Sequence, residues 1–314
     1  MALNGVSMVT YGVDDLALCM RFYLDFGLTP LVQTATEATF QLYEGSIVRL
    51  LHADDARLPA RFSDGPGIRE TIWGVETAAE LAALERDLSS DRVVDRDADG
   101  VLHFRDDQGL PMGLRVFARR APTTPAEPVN APGRVDRWNR HRAWYDHAAP
   151  RLIHHVVYGV PDIERAMAFY VDRLGFRVTD VSRGRGIFAR CAGRNDHHNL
   201  FFLKSPSPHF AHISFGVENI DELVTGANEM TRRGWKSALG LGRHRISSTL
   251  FYYIIAPCGG ETEYSADMDH LTDDWQPRIW EPRFGNLFWV AALPPQLQEL
   301  PAPDVQLLEE VQAR

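Results

Sequence analysis

Two histidines occupy one position in two copies of a repeated pattern. Counting five residues back from the valine that ends each of four strand-like runs leads from Val13 to Met8, from Val75 to Glu70, from Val160 to His155 and from Val217 to His212. Side chains alternate between the faces of a strand, so equal registers place both imidazoles on matching sheet faces. The same counting sets His154 opposite Ala211, pointing away from the shared cleft. Taken singly, a strand histidine is most often a satisfied structural residue. The matched register is what makes this pair a candidate. Two neutral imidazoles and one carboxylate form the facial triad that holds non-haem Fe(II) and leaves positions open. The carboxylate is expected from the remaining strand of the last repeat, where Glu261 and Glu263 lie two apart on one face. Parity does not separate them.

The elements that must carry these residues are themselves repeated. Val9-Thr10-Tyr11-Gly12-Val13 returns as Val156-Val157-Tyr158-Gly159-Val160, and Met20-Arg21-Phe22-Tyr23 returns as Met167-Ala168-Phe169-Tyr170 at the same offset. Trp73-Gly74-Val75-Glu76 pairs similarly with Phe215-Gly216-Val217-Glu218. The chain therefore reads as two halves of two modules each. Every module opens with a β-branched and aromatic run, which predicts a strand. Asp162 and Asn219 are placed to cap the helices that follow. Ile163, Ala166, Met167, Tyr170 and Leu174 share one helical face, and Gly27 and Gly175 suit the helix stops. Further strands are expected over Gly186 to Arg190, Asn199 to Lys204 and Leu250 to Ile255. A strand, a helix and several strands cannot bury both faces of a sheet alone, so the fold class is α+β: four βαβββ modules paired into two cupped mixed sheets.

At these residues the chain resembles the type I extradiol ring-cleavage dioxygenases (catechol 2,3-dioxygenase and 2,3-dihydroxybiphenyl 1,2-dioxygenase-like) of the vicinal oxygen chelate superfamily. That family's third-ligand segment reads roughly Tyr-Phe-x-Asp-Pro-x-Gly-Asn-x-x-Glu, and here Tyr253 to Glu263 matches it, with Ala256 and Gly260 replacing the usual Asp and Asn. The resemblance implies Glu263 as the third metal ligand beside His155 and His212. It also implies His198, fourteen residues before His212, as acid/base, with His244 and Tyr253 hydrogen-bonding the substrate oxygens. His197 is expected to face the other way. The activity implied is extradiol (meta) cleavage of a small aromatic diol or triol with O2 at a mononuclear Fe(II), Mn(II) being the other candidate ion, in aromatic compound degradation. The alternatives are a hydroquinone ring-cleavage dioxygenase, a glyoxalase-type lyase or isomerase, and a metal-free binding protein of the same superfamily. A glyoxalase-type site usually wants a second ligating glutamate, and none stands at the module registers of the C-terminal half. A metal-free binder has no reason to hold His155, His212 and Glu263 in register.

The N-terminal half is an internal control, because Met8, Glu70 and Gly113 stand where ligands would be and cannot form an iron site. The expected organisation is a metal-free module pair over residues 1–120, a proline-rich connector over 121–150, a catalytic module pair over 151–270 and a C-terminal extension over 271–314 packing on the body. Arg140-His141-Arg142 with Trp138 and Trp144 suggests an interdomain or subunit contact, and a homo-oligomer is expected. The 33 Lys+Arg against 42 Asp+Glu, a net charge of -9, give a poor counterion for phosphate, so no nucleic-acid partner is expected. No apolar run approaches the roughly 20 residues of a membrane span, so no membrane partner is expected either. The chain has 3 cysteines without a CxxC pair and no leader-like N-terminus, which together point to the cytoplasm.

Overall fold

The computed structural model describes residues 3–125 and 127–292. The first module comprises β1 (Leu3–Val13), α1 (Leu16–Asp25), β2 (Thr29–Gln33), β3 (Glu37–Gln41) and β4 (Ile47–His52). The second comprises β5 (Gly67–Val75), α2 (Ala78–Leu88), β6 (Asp95–Arg96), β7 (Leu102–Arg105) and β8 (Pro111–Val116). β9 (Leu152–Val160), α3 (Ile163–Asp172), β10 (Arg177–Ser182), β11 (Gly186–Arg190) and β12 (Leu200–Lys204) form the third. β13 (His209–Gly216), α4 (Ile220–Arg232), β14 (Ser237–His244), β15 (Leu250–Ile255) and β16 (Glu261–Ala266) form the fourth. The α+β reading and its fourfold βαβββ repeat hold.

Local signals act as their chemistry requires. The Asp162 carboxylate accepts from the Arg165 N–H, and the Asn219 side chain accepts from the N–H groups of Asp221 and Glu222, satisfying donors that a helix start leaves orphaned. Ile163, Ala166, Met167, Phe169 and Tyr170 form the buried stripe of α3. Gly27 and Gly175, at φ of 93° and 71°, turn the chain out of α1 and α3 through the left-handed region that glycine enters without a Cβ penalty.

Within each module the first strand pairs parallel to the last, and modules join in twos through antiparallel pairing of their first strands, β1 with β5 and β9 with β13. The result is an 8-stranded sheet in the N-terminal half and a 10-stranded sheet in the C-terminal half. The halves share one core. The Phe26 and Tyr264 rings stack at 3.9 Å between centroids, and Tyr158 OH meets Thr71 Oγ1 at 2.6 Å. Tyr170 OH donates to Asp106 at 3.0 Å. The N-terminal half therefore supplies part of the wall against which the other half packs.

The extra two strands of the larger sheet come from the C-terminal extension. β17 (Arg278–Trp280) lies parallel to β10 at one edge, and β18 (Leu287–Val290) lies antiparallel to β14 at the other. An uncovered edge is a template for unwanted pairing, and this segment covers both. The part of the extension expected over 293–314 lies outside the described residues. The connector segment carries, among the described residues, only an isolated bridge between Ala131 and Arg134. Arg142 pairs with Asp221 of α4 at 2.6 Å, whereas Trp138 and Trp144 are 72% and 85% exposed, so the described residues leave most of both rings uncovered. No described helix is long and apolar enough to cross a membrane.

Candidate metal centre

Strand register places the triad. Across the larger sheet His155 of β9 lies beside Ser214 of β13, Ser214 beside Glu263 of β16, and Glu263 beside Tyr253 of β15. Residues side by side in a ladder share a face, and so do residues two apart, which brings His212 onto the same face. Two strand spacings separate the backbones of His155 and Glu263, about 10 Å. The small Ser214 between them leaves the space into which both longer side chains lean, and its hydroxyl donates to Ser265 Oγ at 2.7 Å.

The donor atoms converge. His155 Nε2 lies 3.2 Å from His212 Nε2 and 3.2 Å from Glu263 Oε2, and His212 Nε2 lies 3.7 Å from the same oxygen. Two ligands held about 2.1 Å from one ion at ordinary bond angles stand about 3–3.4 Å apart. Neither oxygen of the fully buried Glu263 carboxylate accepts a hydrogen bond among the described residues. A buried, unpaired carboxylate is costly unless a cation compensates it. The donor set and the orphaned oxygens both fit a divalent ion, and His155, His212 and Glu263 are the one such grouping among the described residues. Burial pushes the pKa of His155 and of His212 down to about 3, leaving neutral imidazoles with lone pairs to offer. The same burial raises that of Glu263, against the pull of His212 and His244.

His154 is the extra residue of a bulge where β9 pairs with β13, so strand alternation does not set its direction. Its Nδ1 meets Ser265 Oγ at 2.7 Å, and it stands outside the converging donors and the cavity lining. Glu261 shares the face of Glu263 but stands beside His212 in the ladder, outside the converging group.

A cavity of about 340 Å³ opens beside the triad and is lined by His155, His212, His198, His244 and Tyr253. His198 packs against His155, ring centroids 4.2 Å apart, and edge-on to Phe188, itself stacked on Phe201 at 4.0 Å. His244 Nε2 and Tyr253 OH are 3.0 Å apart, while His244 Nδ1 faces the Asn286 carbonyl at 3.4 Å. A carbonyl only accepts, so Nδ1 carries the hydrogen and Nε2 accepts from the tyrosine. Burial lowers the pKa of His244 and raises that of Tyr253 well above its usual value, so both are neutral. Five of the six sequence-derived positions thus line one cavity, and the sixth, Glu263, is fully buried beside it against His155 and His212.

One expectation is corrected. His197 does not face away from His198, because its Nδ1 lies 3.1 Å from His198 Nδ1. Residues 195–199 precede β12, so strand alternation does not govern them. They are held instead by the His197 N–H donating to Asp269 O and by Asn199, whose amide donates to His154 O. Sequence reading also missed Asn286 and Leu287, which reach the cavity from the C-terminal extension.

The other half keeps the row and none of its chemistry. Met8, Ile72, Gly113 and His103 occupy the places of His155, Ser214, Glu263 and Tyr253. Glu70, standing for His212, forms an ion pair with His103 at 2.8 Å. The Glu70 contact raises the pKa of His103 to about 9. A Cβ on Gly113 would come within 2.7 Å of the Leu102 carbonyl.

Fold and site together describe paired βαβββ modules with one candidate metal site among the described residues. Residues 152–264 match the Glyoxalase/Bleomycin resistance protein/Dioxygenase superfamily. Metapyrocatechase 2 of Cupriavidus necator is 30% identical over 280 residues, spanning 86% of this chain and 83% of that protein. An iron-dependent extradiol dioxygenase of Rhodococcus jostii is 27% identical over 254 residues, 71% of this chain and 79% of that one. The chain belongs to the extradiol dioxygenases of this superfamily. Among solved structures, the Mn(II)-bound glyoxalase from Novosphingobium aromaticivorans has a TM-score of 0.75 at 23% identity, covering 96% of this chain and 95% of that one. The 2,2',3-trihydroxybiphenyl 1,2-dioxygenase from Sphingomonas wittichii has a TM-score of 0.70 at 19% identity, covering 93% and 100%. At such identities these two likenesses concern the fold.

Proposed function

We propose that this chain cleaves the ring of a catechol-type diol or triol by extradiol (meta) dioxygenation, with Fe(II) held by His155, His212 and Glu263. The observation that carries the reading is a converging two-histidine, one-carboxylate set beside a cavity that also holds two further histidines, His198 and His244. Fe(II) is favoured over Mn(II) by the iron-dependent relative. When bound, the ion lowers the pKa of a diol hydroxyl and offers open positions to its two substrates.

The protein groups do the rest. His198 is the base that receives a hydroxyl proton and the acid that returns one during ring opening. The Tyr253 hydroxyl gives its hydrogen to His244 and keeps lone pairs for a substrate O–H, which orients the diol. Phe188, Phe201 and Ile246 form an apolar wall that excludes water and packs on the aromatic ring. The test is oxygen uptake by anaerobically Fe(II)-loaded protein with a panel of substituted catechols, read beside the yellow colour of the ring-opened product. Absence of uptake with every member, by protein shown to have bound the ion, overturns the reading.

A further inference from the structure

Behind His198 lies a buried polar chain that the metal centre does not use. Asp180 of β10, His197 and His198 are 2%, 1% and 4% exposed. His197 joins its neighbours through both nitrogens, Nε2 at 3.2 Å from Asp180 Oδ2 and Nδ1 at 3.1 Å from His198 Nδ1. The other carboxylate oxygen of Asp180 accepts the backbone N–H of Arg278 at 2.7 Å, so β17 fixes the far end of the chain.

The hydrogens along this chain follow from what each atom can do. A carboxylate only accepts, so His197 Nε2 donates to Asp180. A neutral His197 then has its lone pair on Nδ1, and the hydrogen of the His197–His198 contact belongs to His198 Nδ1. His198 Nε2 is left with a lone pair for the cavity that its ring lines. That is the tautomer a base needs.

We infer that Asp180 and His197 form a proton relay behind His198, letting it accept and return a substrate proton while its ring stays neutral. The substrate O–H bond breaks and His198 Nε2–H forms, as His198 Nδ1–H breaks and His197 Nδ1–H forms. No electrons are transferred, and the reverse shift restores the starting state. The geometric reason is position. His198 Nδ1 meets His197 at 3.1 Å, and His197 in turn meets the Asp180 carboxylate at 3.2 Å, so a proton passed one ring back sits beside a carboxylate. His197 and Asp180 are positioning residues, since neither lines the cavity. The relay's use in turnover rests on the ring-cleavage reading, whereas the tautomer does not.

The experiment therefore has two arms. In ¹⁵N-histidine NMR of the metal-free protein, wild type should show His198 protonated on Nδ1. His197→Gln should keep that tautomer, because its amide oxygen accepts from His198 and its NH2 donates to Asp180, whereas His197→Leu should lose it. In turnover, His197→Gln should keep wild-type metal content and KM but lose roughly 10²-fold in kcat, at the low end of an acid–base contribution, because an amide cannot carry the proton. Asp180→Asn should show the same split. A wild-type His198 protonated on Nε2, or a His197→Gln enzyme with wild-type kcat, overturns the relay. If wild type turns over no catechol, the ring-cleavage reading fails, and the NMR arm still decides the hydrogen-bond chain.

Discussion

Replacing Glu263 with glutamine should stabilise the metal-free protein and destabilise the metal-loaded one. Without an ion, the carboxylate is fully buried with two oxygens that accept nothing from the described residues. A buried polar group without a partner costs about 1–3 kcal/mol, and more when charged. A neutral amide of the same shape removes the charged part of that cost, so a gain of about 2 kcal/mol is expected in the apo form. The metal reverses the ranking. An ion at a hundred times its Kd adds about 2.7 kcal/mol to wild type by mass action, and far less to a variant whose affinity has collapsed. Urea unfolding with chelator and with Fe(II) or Mn(II) under nitrogen reads both effects, and metal analysis reads occupancy. Glu261→Gln is the control, since Glu261 lies outside the converging donors, and it should keep the full metal-dependent shift. An apo Glu263→Gln protein less stable than apo wild type, or one with an undiminished metal shift, would refute the reasoning.

His155→Ala and His212→Ala should each lose the ion, while His154→Ala should keep it and lose about 1 kcal/mol of stability with its buried hydrogen bond to Ser265; metal analysis and unfolding curves check both. His198→Asn should retain metal and bind catechol anaerobically, yet fall roughly 10²–10⁴-fold in turnover by stopped-flow mixing with oxygen. Glu70→Gln should leave metal content intact and change the pH dependence of stability. Glu70 raises the pKa of His103 to about 9, above the unfolded value of about 6.5. The folded state thus binds the extra proton, so the contribution is full below that unfolded value and is lost as pH rises through the folded one. The wild-type advantage over Glu70→Gln should be widest near pH 6 and close toward pH 9 in unfolding titrations. A gap that widens with pH would contradict the pairing.

What was legible in the sequence depended on periodicity. The strand period and the internal repeat place His155 and His212 on one face without any structure, because a register error of one residue would bury the wrong face of two strands. The choice of Glu263 over Glu261 needed the family spacing, since both share parity. Which one reaches the histidines is decided by the β13–β16 ladder, a non-local pairing. Alternation failed at His197 for a definable reason. It holds only inside a strand, and the segment before β12 is held by contacts to Asp269 and His154, far away in sequence. Asp180 and Asn286 were invisible for the same reason, as each reaches the site through tertiary structure alone.

The glycine at position 113 makes the division of labour between the halves hard to reverse. Met8 and Glu70 could each become histidine by a side-chain change, but a glutamate at 113 needs a Cβ where the Leu102 carbonyl stands, 2.7 Å away. The obstacle is backbone of the adjoining strand, paired in the same ladder, and it cannot swing aside as a side chain would. Grafting the three ligands into the N-terminal sheet would therefore require parting β7 from β8 first. An engineer seeking a second iron site in this scaffold would do better to duplicate the C-terminal half than to convert its partner.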